Sequence, residues 1–219
     1  MVARRALARA VLDEFGQTFA EEAGIRLARG NPAALYQLSY LSMLLGAPIR
    51  SESAVEAARA LRKAGLTTAR KMARASWQER VDVITWHGYK RFDERGATRL
   101  GKCAEFLLER YRGDLRELRA AAGGDRRRLE ALLTECPGIG AVAAAIFLRE
   151  VQLVWDEVYP YADERVLRAA QRLGLGKDAP SLARLVTQKE LPRLVAGLVR
   201  VELRKAYAGI QAFAERHAA

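Results

Sequence analysis

The sequence predicts an all-α fold, either one domain or two small lobes, and three observations predict it. Apolar residues recur at helical spacing between start and stop signals. No run of alternating apolar and polar residues rich in β-branched types occurs. The six prolines fall where helices begin or end and none interrupts an apolar period. With 219 residues, 50% hydrophobic and 29% charged, the chain has the balance of a globular polypeptide and enough interior for a core.

Asn31 and Pro32 suit an N-cap and first-turn pair, opening a helix closed by Gly46 and Pro48. Residues 31–49 hold no charge over 19 positions, but Gln37, Ser39, Ser42 and the two prolines point to a buried core helix rather than a membrane span. Ser53 with Glu56 has the spacing of a capping box, followed by Val55, Ala58 and Leu61 up to Gly65. Ser76 with Glu79 repeats that logic, with Trp77, Val81 and Ile84 on one face and Gly88 as the stop. Leu100, Cys103, Ala104, Leu107 and Tyr111 form the next stripe, ending at Gly113. Helices then follow over 127–134 and 141–151. Beyond Pro160 they run over 164–173 and from Pro192 to about Arg216, with a short one near Ser181.

Thirty-seven Lys and Arg against 26 Asp and Glu leave a net charge of +11, which attracts polyanions well beyond contact distance. Nucleic acid is therefore the first partner to consider. Two cysteines, Cys103 and Cys136, exclude a disulfide-rich secreted framework and any site of four thiolates, and two histidines leave little for zinc. The first residues are arginine-rich and reach Asp13 and Glu14 before any apolar run long enough for a signal peptide, so a cytoplasmic location without a membrane anchor is expected.

The most informative segment is Cys136-Pro137-Gly138-Ile139-Gly140, a tight turn between two helices. Gly138 and Gly140 let the backbone turn and approach a ligand closely, and Pro137 stiffens the entry. The amides that follow, through Val142, stand at the positive end of a helix dipole and suit a phosphate. Such a contact fixes register on DNA without reading sequence. Many helix–helix turns use the same residues for geometry alone, so the motif gains meaning from its context. Asp163 follows about two dozen residues later in Ala162-Asp163-Glu164-Arg165-Val166-Leu167-Arg168.

With that spacing the sequence resembles the helix-hairpin-helix DNA glycosylase superfamily, the relatives of endonuclease III and of the adenine and alkylpurine glycosylases. The likeness runs from about Asn31 to Gly174 and is strongest from Leu129 to Leu173. It implies two helical lobes with a cleft between them: residues 30–152 as the central bundle carrying the hairpin, and residues 1–29 with 153–219 as a second lobe built from both chain ends. It further implies base excision from double-stranded DNA, in which a flipped base is released from its sugar, by a protein expected to be a monomer beside the nucleoid.

In that reading Asp163 is the catalytic residue. An N-cap role alone also explains it, and the two roles are compatible. A fixed negative charge in a poorly hydrated site stabilises the positive charge that develops on the sugar, and the same carboxylate can orient water. Family members that also cut the strand carry a lysine two residues after the second hairpin glycine, where this chain has Val142. A valine supplies no nucleophile, so the resemblance implies a monofunctional enzyme that leaves an abasic site. The iron–sulfur cluster of many relatives lacks ligands here, because no cysteine follows Cys136. No cofactor is required. The family's hairpin cation, K+ or Na+, would sit on the main-chain carbonyls of Thr134, Cys136 and Ile139.

DNA contacts are expected from the backbone amides of Gly138, Gly140 and Val142, and from Lys90 and Arg91 in the aromatic and basic text over 86–92. Trp86, His87, Tyr159 and Tyr161 are candidates for the base pocket, which a flipped base needs for stacking. Tyr36, Tyr40 and Trp155 are further aromatic candidates, for which a core role is the competing explanation. The family's glutamine-bearing wedge falls near Ser42 to Leu45, where this chain has Met43, Leu44 and Leu45. The alternative function is a non-catalytic helix-hairpin-helix DNA-binding protein in which Asp163 only caps a helix.

Overall fold

A computed structural model describes residues 2–27, 30–85 and 93–216. The described residues are helical, with no strand among them: α1 (Val2–Phe15), α2 (Phe19–Glu22), α3 (Pro32–Leu45), α4 (Ser51–Lys63), α5 (Ala69–Arg74), α6 (Trp77–Thr85), α7 (Asp93–Tyr111), α8 (Leu115–Ala122), α9 (Arg126–Thr134), α10 (Ala141–Val151), α11 (Glu164–Arg172), α12 (Ala179–Ala183), α13 (Leu191–Arg204) and α14 (Tyr207–Arg216). None is long and apolar enough to cross a membrane. The helices form two compact units, residues 20–157 and residues 1–19 with 158–219.

In the unit of residues 20–157, α3 is buried on every side from Ala34 to Leu44, which explains its freedom from charge. The Asn31 carboxamide caps it by accepting the Ala34 amide at 2.8 Å. Ser39 and Ser42 are satisfied inside the core by donating to the Tyr36 and Leu38 carbonyls at 2.7 and 2.8 Å. Helices α4, α8 and α10 pack on α3, and α5, α6 and α8 pack on α7. Arg80 ties this second group together from a nearly buried position. It donates to the Ala97 carbonyl at 3.0 Å and to those of Met72 and Ala75 at 3.1 and 2.5 Å. A side chain at Gly101 would close to 2.7 Å on that guanidinium, so the glycine makes room for it.

In the unit of residues 1–19 and 158–219, α1 packs on α13 and α14, and α11 packs on α13. Gly197 of α13 admits Val11, whose Cγ1 would lie 2.7 Å from any Cβ there. The carbonyl end of α1 is met by cations from α13: Arg193 donates to the Gly16 carbonyl at 2.6 Å, and Arg200 to those of Phe15 at 3.4 Å and of Gln17. Guanidinium groups at a helix C-terminus satisfy its carbonyls and complement its dipole.

Several expected boundaries move. The box at Ser53 and Glu56 does not form, because α4 already begins at Ser51 with Arg50 as a cap that makes no side-chain bond. The box at Ser76 and Glu79 does form: each side chain bonds the other's backbone amide, at 2.6 and 3.1 Å. Its face is misassigned, however, since Trp77 is 42% exposed and Ile84 alone of the three expected residues is buried. The long final helix is two, broken where Lys205 enters the left-handed region at φ 54° and the Ala206 amide bonds back to the Val201 carbonyl.

Candidate nucleic-acid interface

The hairpin is held from below by its apolar residues. Cys136 and Ile139 are 1% and 2% exposed, and the Ile139 amide donates to the Cys136 carbonyl at 2.9 Å to close the turn. Gly138 has φ +94°, a conformation that glycine alone adopts freely. A Cβ there would also lie 2.9 Å from Arg99 Cβ and 3.0 Å from Met43 Sδ. Gly140 is the N-cap of α10 in extended conformation, with φ −85° and ψ −178° and no side chain over the helix end.

The first α10 amide to bond within the chain is that of Ala144, to the Gly140 carbonyl at 2.9 Å. The first-turn amides therefore face outward from Gly140, Ala141 and Val142, which are exposed, while Ala143 and Ala144 anchor the helix in the core. No acidic residue occupies that first turn. Together these make a surface on which main-chain N–H groups and a helix dipole can receive an anion.

The two cysteines form one disulfide, with Cα atoms 5.4 Å apart, which fastens Cys136 of the turn to Cys103 of α7. Composition excludes a framework of several bridges but does not foretell this single one, which pairs residues brought together by the packing of the turn on α7.

Asp163 is the N-cap of α11. Its Oδ1 accepts the Val166 amide at 3.1 Å, and its backbone is extended at φ −82° and ψ 175°. Val158 and Val166 are fully buried on either side of it, whereas Asp163, Tyr159 and Tyr161 are half-buried. The Tyr159–Pro160 peptide bond is cis. Glu164 and Arg168 pair at 2.6 Å on the solvent side of α11, and Ala169 and Ala170 face the core.

The other expected site residues divide. Trp86, His87, Lys90 and Arg91 lie outside the described residues. Tyr36 and Tyr40 are 2% and 1% exposed and meet edge to face at 5.7 Å, so they are core residues. Trp155 is core as well: its ring lies 5.5 Å from Phe147, under the Arg119 guanidinium at 5.3 Å. Arg119 in turn holds Glu157 through two bonds of 2.6 Å. Met43 and Leu44 are buried, leaving no polar wedge on that segment of α3.

Among the three carbonyls considered for a cation, that of Cys136 accepts the Ile139 amide, and no backbone donor reaches those of Thr134 and Ile139 among the described residues. Each of the three oxygens therefore keeps at least one lone pair not engaged by a backbone donor. No group of three or more His, Cys, Asp or Glu that could hold a metal occurs among the described residues.

Sequence reasoning missed Arg99, whose stem lies against Gly138, and exposed Trp77, whose indole Nε1 donates to Thr98 Oγ1 at 3.1 Å. The one available signal for Arg99 was its place one turn before Cys103 on the apolar stripe.

No protein-family model matches the chain, and no curated protein does. Solved structures are similar in fold. A non-covalent endonuclease III–DNA complex superposes with a TM-score of 0.55 at 17% identity, covering 89% of this chain and 81% of the other. A trapped covalent intermediate of endonuclease III with DNA, in an estranged-adenine complex, gives a TM-score of 0.50 at 18% identity, covering 88% and 83%. The all-helical fold is thus like that of endonuclease III.

Proposed function

We propose that this chain is a monofunctional DNA glycosylase of base excision repair, acting on a damaged or mismatched base in double-stranded DNA. The observation that carries the reading is the open helix N-terminus that Gly138 and Gly140 present, in a chain whose fold is like that of endonuclease III and which also holds a half-buried carboxylate, Asp163, beside two tyrosines. Main-chain amides at Gly140 to Val142 bind a phosphate and set register. Tyr159 and Tyr161 stack on the flipped base.

Asp163 keeps its cap on α11 through one oxygen, and the carboxylate charge stabilises the oxocarbenium-like sugar. A water oxygen bonds C1′ as the bond from C1′ to the base breaks. The electron pair leaves with the base, and Asp163 receives the water's proton. Position 142 is valine, so no amine of the hairpin attacks the sugar, and the product is an intact strand with an abasic site. The two cysteines are paired with each other, and the activity needs no iron–sulfur cluster. A K+ or Na+ ion on the carbonyls of Thr134, Cys136 and Ile139 would brace the turn electrostatically. The protein acts as a monomer in the cytoplasm, on nucleoid DNA.

A labelled duplex panel carrying uracil, hypoxanthine, alkylpurines, oxidised bases and mismatches, treated with alkali after incubation, tests this. The expected result is alkali-dependent cleavage at one class of site, with no borohydride-trapped adduct. Duplex binding without release of any base at high enzyme concentration would identify a non-catalytic DNA-binding protein instead.

A further inference from the structure

Helix α7 carries a row of cations that the reading above does not use. Arg95, Arg99 and Lys102 stand at i, i+4 and i+7, on one face of the helix, and all three are exposed. None of them meets a hydrogen-bond or ion-pair partner among the described residues. Other arginines of the same unit do: Arg110 pairs with Glu135 at 3.4 Å, Arg112 with Glu117 at 2.7 Å and Arg116 with Asp114 at 2.7 Å. Of the glutamates on α7, Glu94 falls more than a quarter-turn around the helix from Arg99 and Glu109 lies about two turns beyond Lys102, while exposed Glu105 stands at i+3 from Lys102 without an ion pair between them.

Two contacts place this row beside the hairpin and give it an apolar border. The Arg99 stem lies directly against Gly138, so its guanidinium emerges next to the turn that leads into the open end of α10. Thr98, which flanks Arg95 and Lys102 at i+3 and i−4, accepts the indole N–H of exposed Trp77, and the ring borders the row. Seven residues of helix advance roughly 10 Å, over which one DNA strand presents about three phosphates.

We propose that Arg95, Arg99 and Lys102 form a second phosphate track on α7, continuous with the hairpin, that grips the backbone of duplex DNA. The track rests on the reading that the hairpin binds DNA, and it adds the side chains that fix how far the strand is held on either side of the turn. Its contacts are charge to charge, so it strengthens binding to all sequences alike.

The test is the salt dependence of binding of an undamaged fluorescent duplex, followed by anisotropy, for Arg95→Gln, Arg99→Gln and Lys102→Gln. These substitutions keep the stem length and remove the charge. Each is expected to reduce the slope of log affinity against log salt by about 0.9, and Arg99→Lys to restore it. Arg4→Gln, which removes the same charge from exposed α1, should leave the slope as in the unsubstituted protein. Unchanged slopes in a protein that binds the duplex overturn the track and spare the hairpin. Weaker binding by Arg99→Gln at unchanged slope also overturns it, by reducing Arg99 to a packing support for Gly138. Absence of duplex binding by the unsubstituted protein overturns both readings.

Discussion

Arg99 and Gly138 occupy one another's space: the stem of Arg99 fills the position that any side chain on Gly138 would need, at a residue whose φ of +94° already disfavours one. Gly138→Ala therefore combines backbone strain with a clash and is expected to destabilise the protein by about 1–3 kcal/mol. It should also weaken binding to every duplex. Gly140→Ala differs, because φ is −85° and a Cβ there meets nothing within 4 Å. It should lose no more than about 1 kcal/mol, the cost of a poorer N-cap. Urea unfolding of both variants separates the two roles.

Asp163 can be divided into a cap and a catalyst. Asparagine caps helices as well as aspartate does, so Asp163→Asn should keep stability within about 0.5 kcal/mol and retain duplex affinity while base release is lost. Asp163→Ala should lose release and also about 1 kcal/mol of stability, since the Val166 amide loses its acceptor. Unchanged turnover in the asparagine variant would remove Asp163 from the chemistry. Single-turnover assays with melting curves of the same preparations decide it.

The Cys103–Cys136 bond closes a loop with a sequence separation of 33. For a loop of that length, chain-entropy arguments give about 3–4 kcal/mol of stabilisation by restriction of the unfolded chain. Both residues are nearly buried, so reductant should act slowly on the folded protein and quickly once it is unfolded. Alkylation in denaturant should add no label before reduction and two labels after it. The reduced protein should melt at a lower temperature.

Hydrogen bonding to Arg119 holds the Glu157 carboxyl below its usual pKa of 4.5. A carboxyl lowered on folding contributes stability that is fully present above its unfolded pKa and is lost as pH falls through the lower, folded value. Arg119→Met leaves Glu157 without that partner and uncovers one face of Trp155. The variant is expected to be less stable near neutral pH, where the contribution of the pair is fully present, and the difference from the unsubstituted protein should shrink as pH falls through the folded value of Glu157. Urea unfolding of both proteins at a series of pH values, followed by tryptophan fluorescence, reads this out.

Much of the helical order is written locally. Asn31-Pro32 starts α3, Ser76 and Glu79 start α6, and the stripe from Leu100 to Tyr111 lies wholly on the buried face of α7. Short helices escape a periodicity reading: α5, capped by Thr68, and α8, capped by Asp114, are too brief to show an apolar repeat. The break at Lys205 is hidden because its signal is a left-handed lysine where a glycine or proline is expected. At the candidate site, the turn glycines and Asp163 are legible because a backbone requirement selects their residue types. Arg99 is not, because its importance comes from the approach of α7 to Gly138 in space. Tyr36, Tyr40 and Trp155 mislead for the opposite reason: an aromatic side chain that suits a flipped base suits a core equally well.

The packing of α1 on α13 and α14 sets an order of events during synthesis. Helix α1 finds its partners α13 and α14 only after all the residues between them have been synthesised, whereas residues 20–157 are contiguous and can condense while translation continues. Until then the apolar face of α1, with Ala8, Val11 and Leu12, has no lasting shelter. A nascent chain stalled before residue 191 would thus expose α1 to proteases while residues 20–157 are already protected.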